Sequence, residues 1–425
     1  MTKSVRLWPA LALVALPLMA GPLPSAKPEE VGMSTDRLRR INQMIQHRME
    51  AGDLTGAVTI VARKGKVVHL EAQGLMDLDS KKPVTKDTMF RVASMTKPVT
   101  GLAIMMMIEE GKVRLTDPVS RFIPEFKGMK VAVALPPSQG RGVVLETGGG
   151  TTAVPPVPQF YIVPAEREIT VRDLLTHVSG LASGPMSNSE ARKLNRRPEE
   201  NLGSYIPRLG TTPLEFQPGS RWAYSAQAGF DTLGRIVEIV SGMPLDQFFR
   251  QRIFDPLGMK DIAFWPAEEQ WPRVASVYQR TAKGLVKSQN PNTMSSQVYF
   301  MGSGGLISTA ADYLPMGVML ANGGQLNGKR LLSPKTVEMM RAVHVPDTLP
   351  GRAPGEGYGL SVRVVSDHAK RGTLLSTGSF GWSGAYGTHF FVDPVEQVVA
   401  VLMVQTANQE VNRDFEDMVM QAVVE

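Results

Sequence analysis

The sequence predicts an α+β fold: an antiparallel sheet built from both chain ends, flanked by helices, with a mostly helical domain inserted between them. Three observations carry this. Strand-like stretches rich in β-branched residues cluster at 56–74 and 359–405. The middle, roughly 90–325, reads as helical patterns and long loops. A helical pattern lies near each end and can cover the sheet.

The elements follow in chain order. Lys3 and Arg6 precede an apolar run from Leu7 to Met19, and small residues follow at Ala20 and Gly21. That is the layout of a secretory signal peptide over 1–26, cleaved near Ala20 or Ala26, which implies a periplasmic or secreted protein. Residues 34–52 predict a helix capped by Ser34 and Gly52, with Leu38, Ile41, Met44 and Ile45 on one face. Two strands joined at Lys64-Gly65 follow. The domains read as 27–90 plus 326–425 for the sheet and 91–325 for the helical region. Within the latter, 135–168 is rich in Pro and Gly and too long for an ordinary connection, so it reads as a flap. Strands at 359–365, 387–393 and 397–405 and a helix over 412–425 complete the chain.

Composition excludes several chemistries. The 425 residues, 43% apolar, suffice for a large core. The net charge of +6 comes from 46 basic and 40 acidic residues with no basic run, which argues against nucleic acid as a partner. No cysteine is present, which removes disulfides and thiolate chemistry. The six histidines are scattered and none forms His-Glu-x-x-His, so no metal or other cofactor is expected. No later stretch approaches the ~20 apolar residues that span a bilayer.

The chemistry is concentrated in 91–112, "RVASMTKPVTGLAIMMMIEEGK". Ser94 and Lys97 lie three apart and share a helix face. Pro98 is tolerable only in a first turn, so the serine sits at the N-terminus, among unpaired N–H groups and the positive dipole end. That field and burial lower the pKa expected for Lys97, which can then take a hydroxyl proton. The N–H of Ser94 can supply half of an oxyanion hole. Ser-x-x-Lys alone is a weak signal, since a chain this long holds roughly one by chance. Three further stretches support it. Tyr224 immediately precedes a helix read from the Ser225 cap to Gly242 and can serve as a base or relay. Gly381, Trp382, Ser383 and Gly384 fall at the start of a strand, where small residues let a substrate approach the backbone. His177, in "LLTHVSGL", is read as structural.

Together these stretches resemble the serine β-lactamase and penicillin-binding-protein superfamily, with the nearest match to class C β-lactamases and family VIII carboxylesterases. "SMTK" matches the nucleophile motif, "LLTHVSGL" a helical-domain motif and "AYSAQAGFDTLG" the tyrosine motif. "MGSGGLISTAADY" matches a strand-to-helix segment and "FGWSGAYGTHFFVDP" the strand edging the site. The resemblance implies Ser94 as nucleophile, Lys97 and Tyr224 as the proton-handling pair, and the N–H groups of Ser94 and Ala385 as the oxyanion hole. It also implies a β-lactamase-like fold with the site between sheet and helical domain. Two departures matter. The Tyr-x-Asn of β-lactamases is absent, with Ala226 in place of the amide. Lys-Thr-Gly is also absent, and Trp382-Ser383-Gly384 stands there. An indole removes a charge-assisted bond to a substrate carboxylate and offers an apolar wall. The expected activity is therefore a carboxylesterase acting on short-chain or aryl esters. A β-lactamase or D-amino-acid peptidase, or an acyltransferase to an alcohol, are the alternatives. Gly381 to Ala385 comes near the G-x-S-x-G elbow of α/β-hydrolases but ends in Ala, so Ser383 is expected to be dispensable for acylation.

Overall fold

The computed structural model describes residues 23–136 and 157–425. The apolar run of the signal segment and the Ala20 site lie outside them, as does most of the expected flap, 137–156. Ala26 lies inside and donates its N–H to Val67 O. The described end of the 135–168 stretch is a strand: Phe160–Pro164 pairs antiparallel with Lys130–Ala134.

The main sheet has eight strands: β1 (Gly56–Arg63), β2 (Lys66–Asp77), β3 (Lys82–Pro83), β4 (Glu356–Tyr358), β5 (Arg363–Val365), β6 (Phe380–Ser383), β7 (His389–Asp393) and β8 (Val398–Met403). Their spatial order is β4-β5-β6-β7-β8-β1-β2-β3, and every pairing is antiparallel. The two chain ends therefore meet at the β8–β1 pair, as the distribution of strand patterns predicts. Five helices position the site: α1 (Thr35–Glu50), α2 (Thr96–Glu109), α3 (Ala228–Ser241), α4 (Ala310–Ala321) and α5 (Gln409–Met420). α1 begins at its Ser34 cap, whose Oγ accepts from Arg37 N. The last helix starts at Gln409 rather than 412 and stops at Met420, because Asn408 caps it and the chain end turns back over Gly32.

The period of two along a strand divides the core. In β1, Val58, Ile60 and Ala62 enter one cluster and Ala57 and Val61 the other. In β8, Val399, Val401 and Met403 face the first, while Val398, Ala400 and Leu402 face the second. The first cluster holds α2, α3 and α4; the second holds α1 and α5. This is an α+β architecture with helices on both faces and an inserted helical subdomain. Among the described residues no helix is long and apolar enough to cross a membrane.

Candidate active site

Ser94 is set by a strand-to-helix junction. The short strand Phe90–Arg91 leads to Ala93, whose φ is +44°. An alanine in the left-handed region costs roughly 1–2 kcal/mol, and here it redirects the chain into a 3₁₀ turn, Ala93–Met95. Ser94 therefore sits in that turn, two residues before α2 begins, rather than in the α-helix itself. The junction is pinned: Tyr313 donates its hydroxyl proton to Met95 O at 2.7 Å. α2 is buried on all sides from Thr96 to Met107, so its N-terminus is fixed by packing. Gly101 is required there, since a Cβ would lie 2.0 Å from Ser361 Oγ.

Lys97 is fully buried. Its Nζ lies 3.2 Å from Ser94 Oγ and donates to Ala226 O at 2.7 Å and Ser303 O at 2.8 Å. The two carbonyls can only accept, so they occupy two N–H bonds. The third direction faces Ser94, either with a proton or with a lone pair, so the nitrogen is aimed at this hydroxyl in both protonation states. Tyr224 donates its hydroxyl proton to Ser94 Oγ at 2.8 Å. Lys97 Nζ also lies 5.0 Å from the centre of the Tyr224 ring. Three residues from two distant segments thus converge on one oxygen. One expectation is corrected: the helix after Tyr224 starts at Ala228, not at Ser225. Ser225 Oγ instead accepts from Gly229 N, and the four residues before α3 form a loop that delivers the Ala226 carbonyl to Lys97.

The stretch Gly381–Gly384 is also corrected. Phe380–Ser383 is a strand of its own, β6, and Gly384 lies in the turn to β7. A Cβ on Gly384 would meet Thr388 Oγ1 at 2.2 Å and Val92 O at 2.4 Å. The glycine therefore lets the chain approach the segment carrying Ser94, besides lining the pocket. Thr388 donates to Val92 O at 3.2 Å and ties the same turn down. Ala385 follows in that turn and is exposed. Ser94, Tyr224, Trp222, Trp382, Gly384 and Ala385 line one pocket of about 540 Å³. Trp382 packs on Tyr224 at 5.7 Å and edge-on against Tyr358 at 5.3 Å, which makes the apolar wall expected of it.

The pocket is not free of cations, which corrects the picture drawn from the missing Lys-Thr-Gly. Arg352, Arg363, Arg371 and Arg413 also line it. The first three are committed elsewhere. Arg363 and Arg371 donate to Glu416 at 2.5 and 2.9 Å. Arg352 donates to Glu356 O and Gly357 O and lies 4.5 Å from the Trp222 ring centre.

Other residues escaped the sequence reading. Asp231 on α3 is buried and accepts from Ser303 N at 2.9 Å and from Tyr299 at 3.0 Å. It thereby holds the segment whose carbonyl receives Lys97. Burial raises its pKa, and the bonds from Ser303 and Tyr299 offset part of that rise. The Asp-Thr-Leu-Gly end of the tyrosine motif was its available signal. His177 is structural, as expected: Nδ1 accepts from Ser225 N at 3.2 Å and its ring packs 4.8 Å from Tyr224. Burial, with Lys97 and Arg352 nearby, holds its pKa well below 6.5.

Fold and site define a serine-hydrolase-type enzyme of the β-lactamase and penicillin-binding-protein superfamily, with acyl-transfer chemistry on esters or related bonds. The chain belongs to the beta-lactamase family, whose family model matches residues 41–425. It is similar to an uncharacterized protein of Mycobacterium tuberculosis, 36% identical over 375 residues, covering 85% of this chain and 88% of that one. It is 29% identical over 396 residues to the esterase EstB of Burkholderia gladioli, covering 87% and 90%. Among solved structures it resembles EstCE1, a hydrolase with promiscuous acyltransferase activity. There the TM-score is 0.73 and the identity 27%, over 92% of this chain and 99% of that one.

Proposed function

We propose that the protein is a carboxylesterase that cleaves short-chain or aryl esters through an acyl-enzyme on Ser94. The single observation that carries this is the convergence of Lys97 Nζ and the Tyr224 hydroxyl on Ser94 Oγ, at 3.2 and 2.8 Å. Ser94 Oγ attacks the ester carbonyl carbon, and its proton passes to the Lys97–Tyr224 pair. The oxyanion is received by the N–H groups of Ser94 and Ala385. The alcohol leaves with a proton from the same pair, and water activated by Tyr224 releases the acid. Lys97 and Tyr224 share one oxygen as partner, so their proton exchange belongs to the pair.

The ester preference rests on the Trp382 wall and on Ala226, whose backbone carbonyl, not a side-chain amide, enters the site. The likeness to EstB supports it. Comparing kcat/KM for p-nitrophenyl butyrate and nitrocefin tests it. A higher value for the ester is expected; a higher value for nitrocefin makes the protein a β-lactamase or D-amino-acid peptidase. A second reading, acyl transfer to an alcohol acceptor, is favoured by the likeness to EstCE1. It predicts a new ester when the reaction is run with added alcohol. On this reading 91–325 forms the helical domain over the site, and the basic and apolar start of the chain directs export. N-terminal sequencing of the periplasmic fraction, expected to begin after Ala20 or Ala26, checks the latter.

A further inference from the structure

Strand alternation puts Ser383 on the face of β6 opposite Trp382. Its cross-strand partner is His389 on β7. Ser383 Oγ lies 2.8 Å from His389 Nδ1, and His389 Nε2 lies 3.0 Å from Glu416 Oε1 on α5. Glu416 also accepts from Arg363 and Arg371. An ionised carboxylate can only accept, so His389 carries its proton on Nε2 and Nδ1 faces Ser383 as an acceptor. The serine proton is thus directed at a base, and that base is oriented by an acid. Ser383 is half-buried and lines the pocket beside Asn408 and Asn412. Asn412 Nδ2 lies 3.5 Å from Ser383 Oγ. Asn408 Nδ2 is buried and has no partner among the described residues.

We propose that Ser383, His389 and Glu416 form a second nucleophilic site that opens on the far side of the pocket and accepts acyl or phosphonyl groups from small activated esters. Ser383 Oγ bonds to the carbonyl carbon while its proton moves to His389 Nδ1. The imidazolium so formed is paired with Glu416. The amides of Asn408 and Asn412 are the donors available to the oxyanion. The C–O bond to the leaving group breaks, and that group departs with the Nδ1 proton as a phenol. A water molecule repeats the sequence, releases the acid and restores the Ser383 hydroxyl. With a fluorophosphonate the P–O bond forms, the P–F bond breaks, and fluoride leaves with the proton.

Arg363 and Arg371 also set this site's limit. They neutralise much of the charge with which Glu416 stabilises an imidazolium, and His389 is itself fully buried. The second site is therefore slow beside Ser94.

Labelling of Ser94→Ala with a fluorophosphonate, followed by peptide mapping, tests the proposal. One adduct is expected, on Ser383. Folded Ser94→Ala that takes no adduct there, or takes it on another residue, overturns the site. Adding His389→Gln should slow labelling at Ser383 about 100-fold or more; an unchanged rate means that His389 is no base. Should that variant not fold by circular dichroism, Ser94→Ala/Ser383→Ala decides. Its hydrolysis of p-nitrophenyl acetate should fall at least tenfold below that of Ser94→Ala, and equal rates reject Ser383. Failure of the Ser94 reading is distinct: wild type would then carry its fast adduct away from Ser94.

Discussion

Strand β6 separates two hydroxyls whose proton partners are built on different physics. On one face Ser94 meets an amine whose other partners are two neutral carbonyls, Ala226 O and Ser303 O. On the other, Ser383 meets an imidazole tied to a carboxylate that two arginines already hold. Two neutral carbonyls accept from Lys97 Nζ, and on the mechanism proposed above the amine exchanges a proton with Ser94. The ion cluster around Glu416 resists change, because every proton moved there alters a buried network. On the two proposals above, what stands behind each base sets the reactivity of its hydroxyl.

This comparison can be broken in order of expected effect. Ser94→Ala should lower kcat/KM for p-nitrophenyl butyrate by about 10⁴-fold or more, leaving only the slow site. Equal loss with Ser383→Ala would erase the distinction between the two faces. Tyr224→Phe keeps the ring packing and removes the hydroxyl, so it should lower kcat by about 10²- to 10⁴-fold with little change in KM. A Lys97→Met variant should fall in the same range. It should also lose stability, by roughly 1–3 kcal/mol in a urea melt, because two buried carbonyls lose their donor.

A smaller effect concerns pH. Burial lowers the pKa of His389, and Glu416 offsets part of this. Burial would raise the Glu416 carboxyl, but Arg363, His389 and Arg371 together hold it well below the usual carboxylate range. Both folded values are depressed, so both groups bind fewer protons folded than unfolded. Their stability is present above the unfolded pKa values of 6.5 and 4.5 and is lost as pH falls below them. His177 acts with the same sign. Tm should therefore drop from pH 7 to pH 5, and His389→Gln should show a shallower drop over that window. A wild-type Tm flat from pH 7 to pH 5 contradicts these assignments. The smallest effect is that of Ser383→Ala on ester turnover at pH 7, a loss under tenfold in kcat/KM.

Much of the fold was legible because it is periodic. β-Branched alternation marked β1, β2, β7 and β8, and Ser34 marked the start of α1. Short strands were legible only in part: the three-residue β5 falls within the strand expected at 359–365, whereas β6 has four residues and merges in sequence with the turn that follows. The α3 boundary was misread because Ser225 caps from a distance: its hydroxyl accepts from Gly229 N in the first turn of α3, although the helix itself begins only at Ala228. The missing cation was inferred from one motif, and four arginines reached the pocket from other segments.

What the sequence by itself determined is the Ser94–Lys97 pair and the Pro98 boundary, since positions three apart face the same way along a 3₁₀ turn that runs into an α-helix, whatever surrounds them. Tyr224 stands 130 residues from Ser94 and Glu416 stands 27 from His389, and only tertiary packing joins them. Strand register put Ser383 opposite His389, and helix docking brought Glu416 to it. Local dihedral preferences fix directions along one element; which elements meet is decided by burial of the two faces of the sheet.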